Sequence, residues 1–338
     1  DVSNNPQGSG VLIQTVGAVG VTQKLFSGSS AYHLLAVRAD GSVLAWGWNQ
    51  YGQLGDGTST NRAKAVRVNG IGSVVAAAAS YRASVAVKSD GTVWSWGDLV
   101  GDSSVRPVPA QVAGLSGVTA VAAGQYHALA LKSDGTVWAW GYNGNGQLGN
   151  NSTANTAVPV QVSTLSAVIA IAAGESNSFA LKSDGTVWSW GRNNAGQIGD
   201  NSLTQRTTPV QVKDPAGTGF LSGVTAITAG LYHVMALKSD GTVWGWGYNN
   251  DGELGNGTST SSSTSLPVQV AITGVVSMTS GAYHVQALKS DGTVWAWGYN
   301  NIGQLGDGST TTRLWPVPVG GVSGVSTLAA SYSGSYLL

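Results

Sequence analysis

Cysteine is absent from the 338-residue sequence, which excludes disulfides, thiol chemistry and cysteine-based zinc sites. Charge is scarce too. Only 9% of residues are charged, and 16 basic residues balance 16 acidic ones, so no net field draws the protein to a phosphate backbone or an anionic membrane. Nucleic acid is therefore not an expected partner. No run of about 18 apolar residues could span a membrane, and the start "DVSNNPQGSG" lacks the basic-then-apolar pattern of a secretory signal, although a cleaved signal would leave such a start. Low charge with Gly/Ser/Thr/Asn-rich loops suits a bacterial extracellular or cell-surface protein, and that is the expected location. What is plentiful is glycine (49 residues), tryptophan (13) and apolar side chains (42%), a composition that folds rather than stays disordered.

Internal repeats dominate the chain. Asp-Gly pairs stand at Asp40-Gly41, Asp90-Gly91, Asp134-Gly135, Asp184-Gly185, Asp240-Gly241 and Asp291-Gly292, with steps of 50, 44, 50, 56 and 51 residues. Each leads into a short run ending in Trp-Gly, such as "TVWAWG". In one unit, "VPVQV", "VIAIAAG", "SFALKSDG" and "TVWSWG" are all short, β-rich and bounded by turn residues, which predicts four strands per repeat. Asp-Gly supplies the positive-φ positions of a tight hairpin between the third and fourth runs. Alternation puts Trp138 and Trp140 on one face and Val137 and Ala139 on the other. Sheets apolar on both faces need neighbours on both sides, and radial stacking meets that need.

The sequence therefore predicts an all-β, seven-bladed β-propeller of four-stranded antiparallel blades, one domain over residues 1–338. Kelch propellers share the period but not these motifs, and the coils of a β-solenoid are usually shorter. Six repeats are complete; a seventh, "ASYSGSYLL" (330–338), lacks its fourth strand. "SGVLIQTVG" (9–17) is a candidate to close it. "VLIQTV" also aligns with the first strand of the following unit, like "VPAQV" at 108–112. In that register residues 1–10 must close the blade, or it stays open as an edge.

The phrase "ALKSDGTVWAWGYNGNGQLG" resembles the repeat of the regulator of chromosome condensation family, whose pattern runs AlA-L-x-x-DG-x-v-w-x-WG-x-N-x-x-GQLG over about 50 residues. The resemblance covers roughly residues 20–338. It implies a seven-bladed propeller and is shared by three functionally unrelated groups: a nuclear guanine-nucleotide exchange factor, a plant ultraviolet-B photoreceptor and a secreted bacterial β-lactamase inhibitor. Fold therefore does not choose function. The second unit departs from the pattern, reading "DLVGDSSVRPVPAQV" after Gly97, and the fourth carries an insertion near "KDPAGTGFLSG" (213–223), which reads as a longer loop rather than a projecting wedge.

Several constellations invite chemistry and resolve into architecture. GNGQLG (144–149) matches a dinucleotide fingerprint, but no helical segment follows it and its counterparts lack the first glycine, so it reads as a turn and no cofactor is expected. His33, His127, His233 and His284 each lie seven residues before the Asp. The other units place Ala83, Asn177 and Gly334 there, so structural hydrogen bonding fits better than a metal ring. No nucleophile motif is recognisable, and no enzyme is expected. Eleven tryptophans belong to the strand motif; Trp48 lies just after it and Trp315 lies outside, and the photoreceptor's Gly-Trp-Arg-His-Thr signature is missing.

One constellation survives. In an up-and-down blade, the turn before the Asp-Gly strand and the end of the Trp-Gly strand emerge on one side, and the Asp-Gly turns emerge on the other. The first side carries Tyr32, Arg82, Tyr126, Ser176, Tyr232 and Tyr283 from one turn and Trp48, Asp98, Tyr142, Arg192, Tyr248 and Tyr299 from the other. Tyr, Trp and Arg are the residues that binding hot spots favour. The expected function is non-enzymatic binding of a protein, with a glycan as the second ligand class, through Trp48, Tyr142, Arg192, Tyr248, Tyr299, Tyr32, Arg82, Tyr126, Tyr232 and Tyr283. Two alternatives stay open: a nucleotide-exchange regulator of a small GTPase, and an adhesive module whose unfinished seventh blade accepts a strand by strand exchange.

Overall fold

The fourth blade shows how the local signals become structure. Strands Val168–Ala173, Asn177–Lys182, Val187–Gly191 and Arg206–Gln211 pair antiparallel in sequence order. Between the second and third strands, the Asp184 carboxylate accepts from the Thr186 backbone N–H (3.0 Å) and hydroxyl (2.6 Å), and Gly185 takes φ 77°. The side chain thus closes the hairpin that the Asp-Gly pair predicts.

The computed structural model describes residues 24–338, which form strands and no helix, so no helix is long and apolar enough to cross a membrane. Six four-stranded antiparallel sheets follow one another along the chain. Their first strands stand around a narrow axial channel of about 240 Å³, lined by small residues such as Ala77, Ala122, Ala172, Ala229 and Ser280. A two-stranded sheet, Leu328–Ala330 with Ser335–Leu337, also reaches this channel. It joins the last repeat to the first: the Tyr332 N–H donates to the Ala31 carbonyl at 3.0 Å.

Two expectations are corrected. The count of seven four-stranded blades gives way to six among the described residues, because the last repeat contributes only the hairpin of Leu328–Ala330 with Ser335–Leu337. The proposed closing segments, 9–17 and 1–10, lie outside the described residues. The strand frame also shifts by one. The "VPVQV"-type run is the outermost strand of the preceding blade: Val160 pairs with Ala139, and Gln161 with Trp138. After each Trp-Gly strand the chain makes a loop, of the Asn-x-x-Gly-Gln-Leu-Gly type in all but the second blade, and returns to the strand it has just left, the shortest antiparallel connection available.

Both faces of each sheet are buried, as the alternation requires. Trp138 and Trp140 pack with Val85, Val87 and Leu115 of the preceding blade, while Val137 and Ala139 join Trp190 and Leu165 on the other side. Trp96, Trp190, Trp246 and Trp297 are fully buried. The first tryptophan of each pair is shallower and lies under a lysine, as where Lys182 Nζ stands 5.7 Å from the Trp188 ring. The two irregular units have local causes. In the second blade the buried Asp98 carboxylate accepts from the N–H groups of Gly101, Asp102 and Ser103, closing a shortened loop before a fourth strand of only two residues, Ala110–Gln111. The insertion after the fourth blade folds back on itself through a bridge between Lys213 and Phe220.

Candidate functional site

The two columns of rim residues are tied together by one backbone bond repeated in six blades. Trp48, Asp98, Tyr142, Arg192, Tyr248 and Tyr299 each donate their N–H to the carbonyl of Tyr32, Arg82, Tyr126, Ser176, Tyr232 and Tyr283, at 2.8–3.0 Å. The columns therefore share one rim, at the opposite end of the strands from the Asp-Gly hairpins.

Nine of the ten expected residues join two linked clusters. In the first, Tyr32 meets Trp48 edge-on (6.0 Å), and the Arg82 guanidinium lies 5.4 Å from the Tyr126 ring. In the second, Tyr232, Tyr248 and Tyr283 lie 6.0–6.2 Å apart, Tyr299 lies 6.4 Å from Tyr283, and Arg192 lies 5.4 Å from Tyr232. Tyr142 stands apart as the exposed member, 37% accessible and without a ring neighbour among the described residues.

Four partners were not anticipated. Tyr51 and Tyr81 complete the first cluster, Glu175 anchors Arg192 (2.7 Å) and the Tyr232 hydroxyl (2.8 Å), and Tyr332 stacks on Tyr32 at 4.6 Å to join the clusters. A signal existed for three of them. Aligning the turns puts Tyr81, Glu175 and Tyr332 in one column, a residue before the Tyr32 column, where the other units carry Ala31, Gln125, Leu231 and Ala282. Tyr51 occupies the variable place two residues before Gln53 in its loop.

Most of these rings are half-buried, and burial pushes the phenols of Tyr32, Tyr126, Tyr248 and Tyr283 up. Burial, with the hydrogen bond to Glu175, takes Tyr232 up to about 12. At neutral pH the rim thus presents uncharged hydroxyls on apolar rings, with Arg82 held 3.6 Å from Asp98 and Arg192 held by Glu175. Such a surface binds by shape, stacking and hydrogen bonding, without a strong net charge.

The histidines are buried under this rim. His33, His127 and His284 meet the hydroxyls of Ser84, Ser178 and Ser335 in the next blade at 2.7, 2.9 and 3.0 Å. Each serine donates its own proton to the carbonyl of Gln53, Gln147 or Gln304, so the histidine Nε2 carries the hydrogen and donates. Burial holds His33 and His127 down to about 3 and His284 to about 4, which keeps them neutral. These three are fixed by hydrogen bonds to the following blade. His233 differs: Val285 stands where a serine would, and both ring nitrogens lack a partner. Among the described residues no group of three His, Asp or Glu could hold a metal ion.

The GNGQLG turn acts as a connector between blades. The Gln147 carbonyl accepts from Trp190 Nε1–H at 2.8 Å as well as from Ser178. Gly149 has φ 66°, and a Cβ there would come within 2.7 Å of Trp190 Nε1. The third glycine serves close packing between blades rather than a pyrophosphate.

Four-stranded blades in a ring, with an Asp-Gly hairpin on one rim and an Asn-x-x-Gly-Gln-Leu-Gly loop on the other, define a repeat propeller. The chain belongs to the RCC1-like domain family: the model of that domain matches residues 98–338, and the regulator of chromosome condensation (RCC1) repeat matches residues 40–87. It is similar in fold to Prp20p from Saccharomyces cerevisiae (TM-score 0.78, 23% identity, 92% of this chain and 80% of that one). Human WBSCR16 is comparably similar (TM-score 0.81, 21% identity, 92% and 85%). The ultraviolet-B receptor UVR8 of Arabidopsis thaliana is 32% identical over 96 residues, 28% of this chain and 21% of the receptor. The curated relatives are matched over 2–22% of their own length.

Proposed function

We propose that this propeller is a non-enzymatic protein-binding module that engages its partner through the aromatic rim. One observation carries the reading: tyrosine, tryptophan and arginine side chains from every complete blade converge on one rim in linked clusters, half-buried and fixed by neighbours. Pre-ordered aromatic surface of this kind binds at low entropic cost. The composition, with little charge and polar loops, supports an extracellular or cell-surface setting for this role.

A second reading, a regulator of a small GTPase, is favoured by the family. The work on Prp20p concerns its binding to Gsp1p and histones. This reading expects the protein to speed nucleotide release from a GTPase.

Capture of a partner from the native milieu tests the first reading. Replacing Tyr142, Tyr248 and Tyr299 together by alanine is expected to weaken capture at least tenfold, about 1.4 kcal/mol or more, with little change in thermal unfolding. Unchanged capture would remove the rim from the account.

A further inference from the structure

The rim holds one niche that its own side chains leave unfilled. A cavity of about 260 Å³ opens among Tyr32, Tyr248, Tyr283, Tyr299, Tyr332 and Asp251, with Ile302, Gln304 and Ser333 completing its lining. We propose that it receives the guanidinium of an arginine presented by the partner protein. The inference rests on the protein-binding reading above and gives that rim a specificity element.

The same ring shows twice how it accommodates a guanidinium. Arg82 lies 4.2 Å from the Tyr51 ring centroid, 5.1 Å from Tyr81 and 5.4 Å from Tyr126, with the Asp98 carboxylate 3.6 Å away. Arg192 lies 5.4 Å from Tyr232, with the Glu175 carboxylate at 2.7 Å. Each site combines phenol faces with one carboxylate, the pairing that a flat, weakly hydrated cation selects. The unfilled cavity offers the same ingredients in greater number: five phenols and one carboxylate. All 16 lysines and arginines of the chain fall within the described residues; none lines this cavity and none pairs with Asp251.

The repeat register explains the arrangement. Tyr51 stands two residues before Gln53 and faces Arg82 of the next blade; Asp251 stands at the same place before Glu253, so the loop contributes a charge where the first blade contributes a ring. Two repeats on from Asp251, Ser333 occupies the column of Tyr32 and Arg82, and its small side chain leaves room. Asp251 lines the cavity together with Tyr248, and burial pushes its partly buried carboxyl up. A cation entering the niche would relieve that burial cost.

The test uses the whole chain and a free probe. Ligand-observed NMR titration with N-acetyl-arginine methylamide is compared with the citrulline analogue, which has the same shape without the charge. Saturable binding of the arginine derivative, at least tenfold tighter than citrulline, is expected. Asp251→Asn should weaken it at least fivefold with the circular dichroism spectrum unchanged, and Tyr299→Leu should weaken it similarly. Equal binding of the two probes, absence of saturation, or full affinity in folded Asp251→Asn would overturn the proposal. Because no partner is needed, failure here leaves the rim reading standing, whereas unchanged capture by the triple tyrosine variant would overturn that reading and leave this result intact.

Discussion

Trp190→Ala is expected to destabilise the fold by about 3–5 kcal/mol, read as a lower midpoint in chemical denaturation. The indole is fully buried between the third and fourth blades, against Leu129, Leu148, Val162 and Leu165. Truncation opens a cavity that the neighbouring strands cannot close, because both are held in their own ladders. It also removes the Nε1–H bond to the Gln147 carbonyl that ties one blade's loop to the next. Trp188, two residues earlier on the same strand, provides the contrast. It is half-buried, bonded only to the nearby Thr186 hydroxyl at 3.3 Å and covered by Lys182. Trp188→Ala should cost about 1–2 kcal/mol, in proportion to the smaller area it removes from the interior. Equal losses at the two positions would contradict the assignment of Trp190 as the bond between blades.

Glu253→Gln should stabilise the protein at pH 8 and leave it slightly less stable at pH 4.5, where only the cost of the unpaired glutamine Nε2 remains. The other complete loops carry Gln53, Gln147, Gln197 and Gln304 at this place; only the fifth blade has a carboxyl. Glu253 is fully buried, its Oε2 accepts the Asp251 N–H at 2.9 Å and its Oε1 has no partner. Burial pushes it up to about 8. The folded state therefore keeps its proton where the unfolded chain, near the ordinary glutamate value, has released it. Stability is fully present below about pH 4.5 and falls as pH rises through 8, at up to about 1.4 kcal/mol per unit. The glutamine variant lacks this slope and retains the backbone bond. Because Gln53 and Gln197 leave their Nε2 unpaired, the expected gain at pH 8 is about 2–4 kcal/mol rather than the full linkage value. Parallel stability–pH curves for the two proteins would show that the carboxyl is ionised in place.

Much of the architecture is legible in short signals because each is a local necessity. Asp184-Gly185 with Thr186 closes its own hairpin, and Val187–Gly191 alternates because both faces are buried. Partnership across a loop is not local. The run ending in Gln161 carries no mark of whether it pairs with Trp138 behind it or Val168 ahead, and the return through the Asn143 loop decides. There the Asn143 amide donates to the carbonyls of Ser152 and Ala154 and accepts from the Leu148 N–H, fixing the reversal. The blade count differs for a related reason: the repeat visible as sequence in "ASYSGSYLL" contributes two strands to the described residues rather than four.

The rim divides in the same way. Tyr32, Tyr126, Tyr232 and Tyr283 recur at one place in the unit and could be read directly. Their neighbours could not, since Tyr332 stacks on Tyr32 from the far end of the chain and Tyr51 meets Arg82 across a blade boundary. Arg82 and Arg192 also change meaning. As sequence they resemble free hot spots; in the fold each is held by a carboxylate and rests on phenol rings, so both shape the rim from within.

The central claim, that one rim does the binding, is tested most directly by hydrogen exchange on the protein with and without its captured partner. New protection is expected in the turns around residues 30–33, 80–83, 231–233 and 282–284 and in the loops after Trp48, Tyr142, Tyr248 and Tyr299, with the Asp-Gly hairpins unchanged. Protection concentrated at Asp90, Asp134, Asp184, Asp240 and Asp291, with the aromatic turns unchanged, would contradict it.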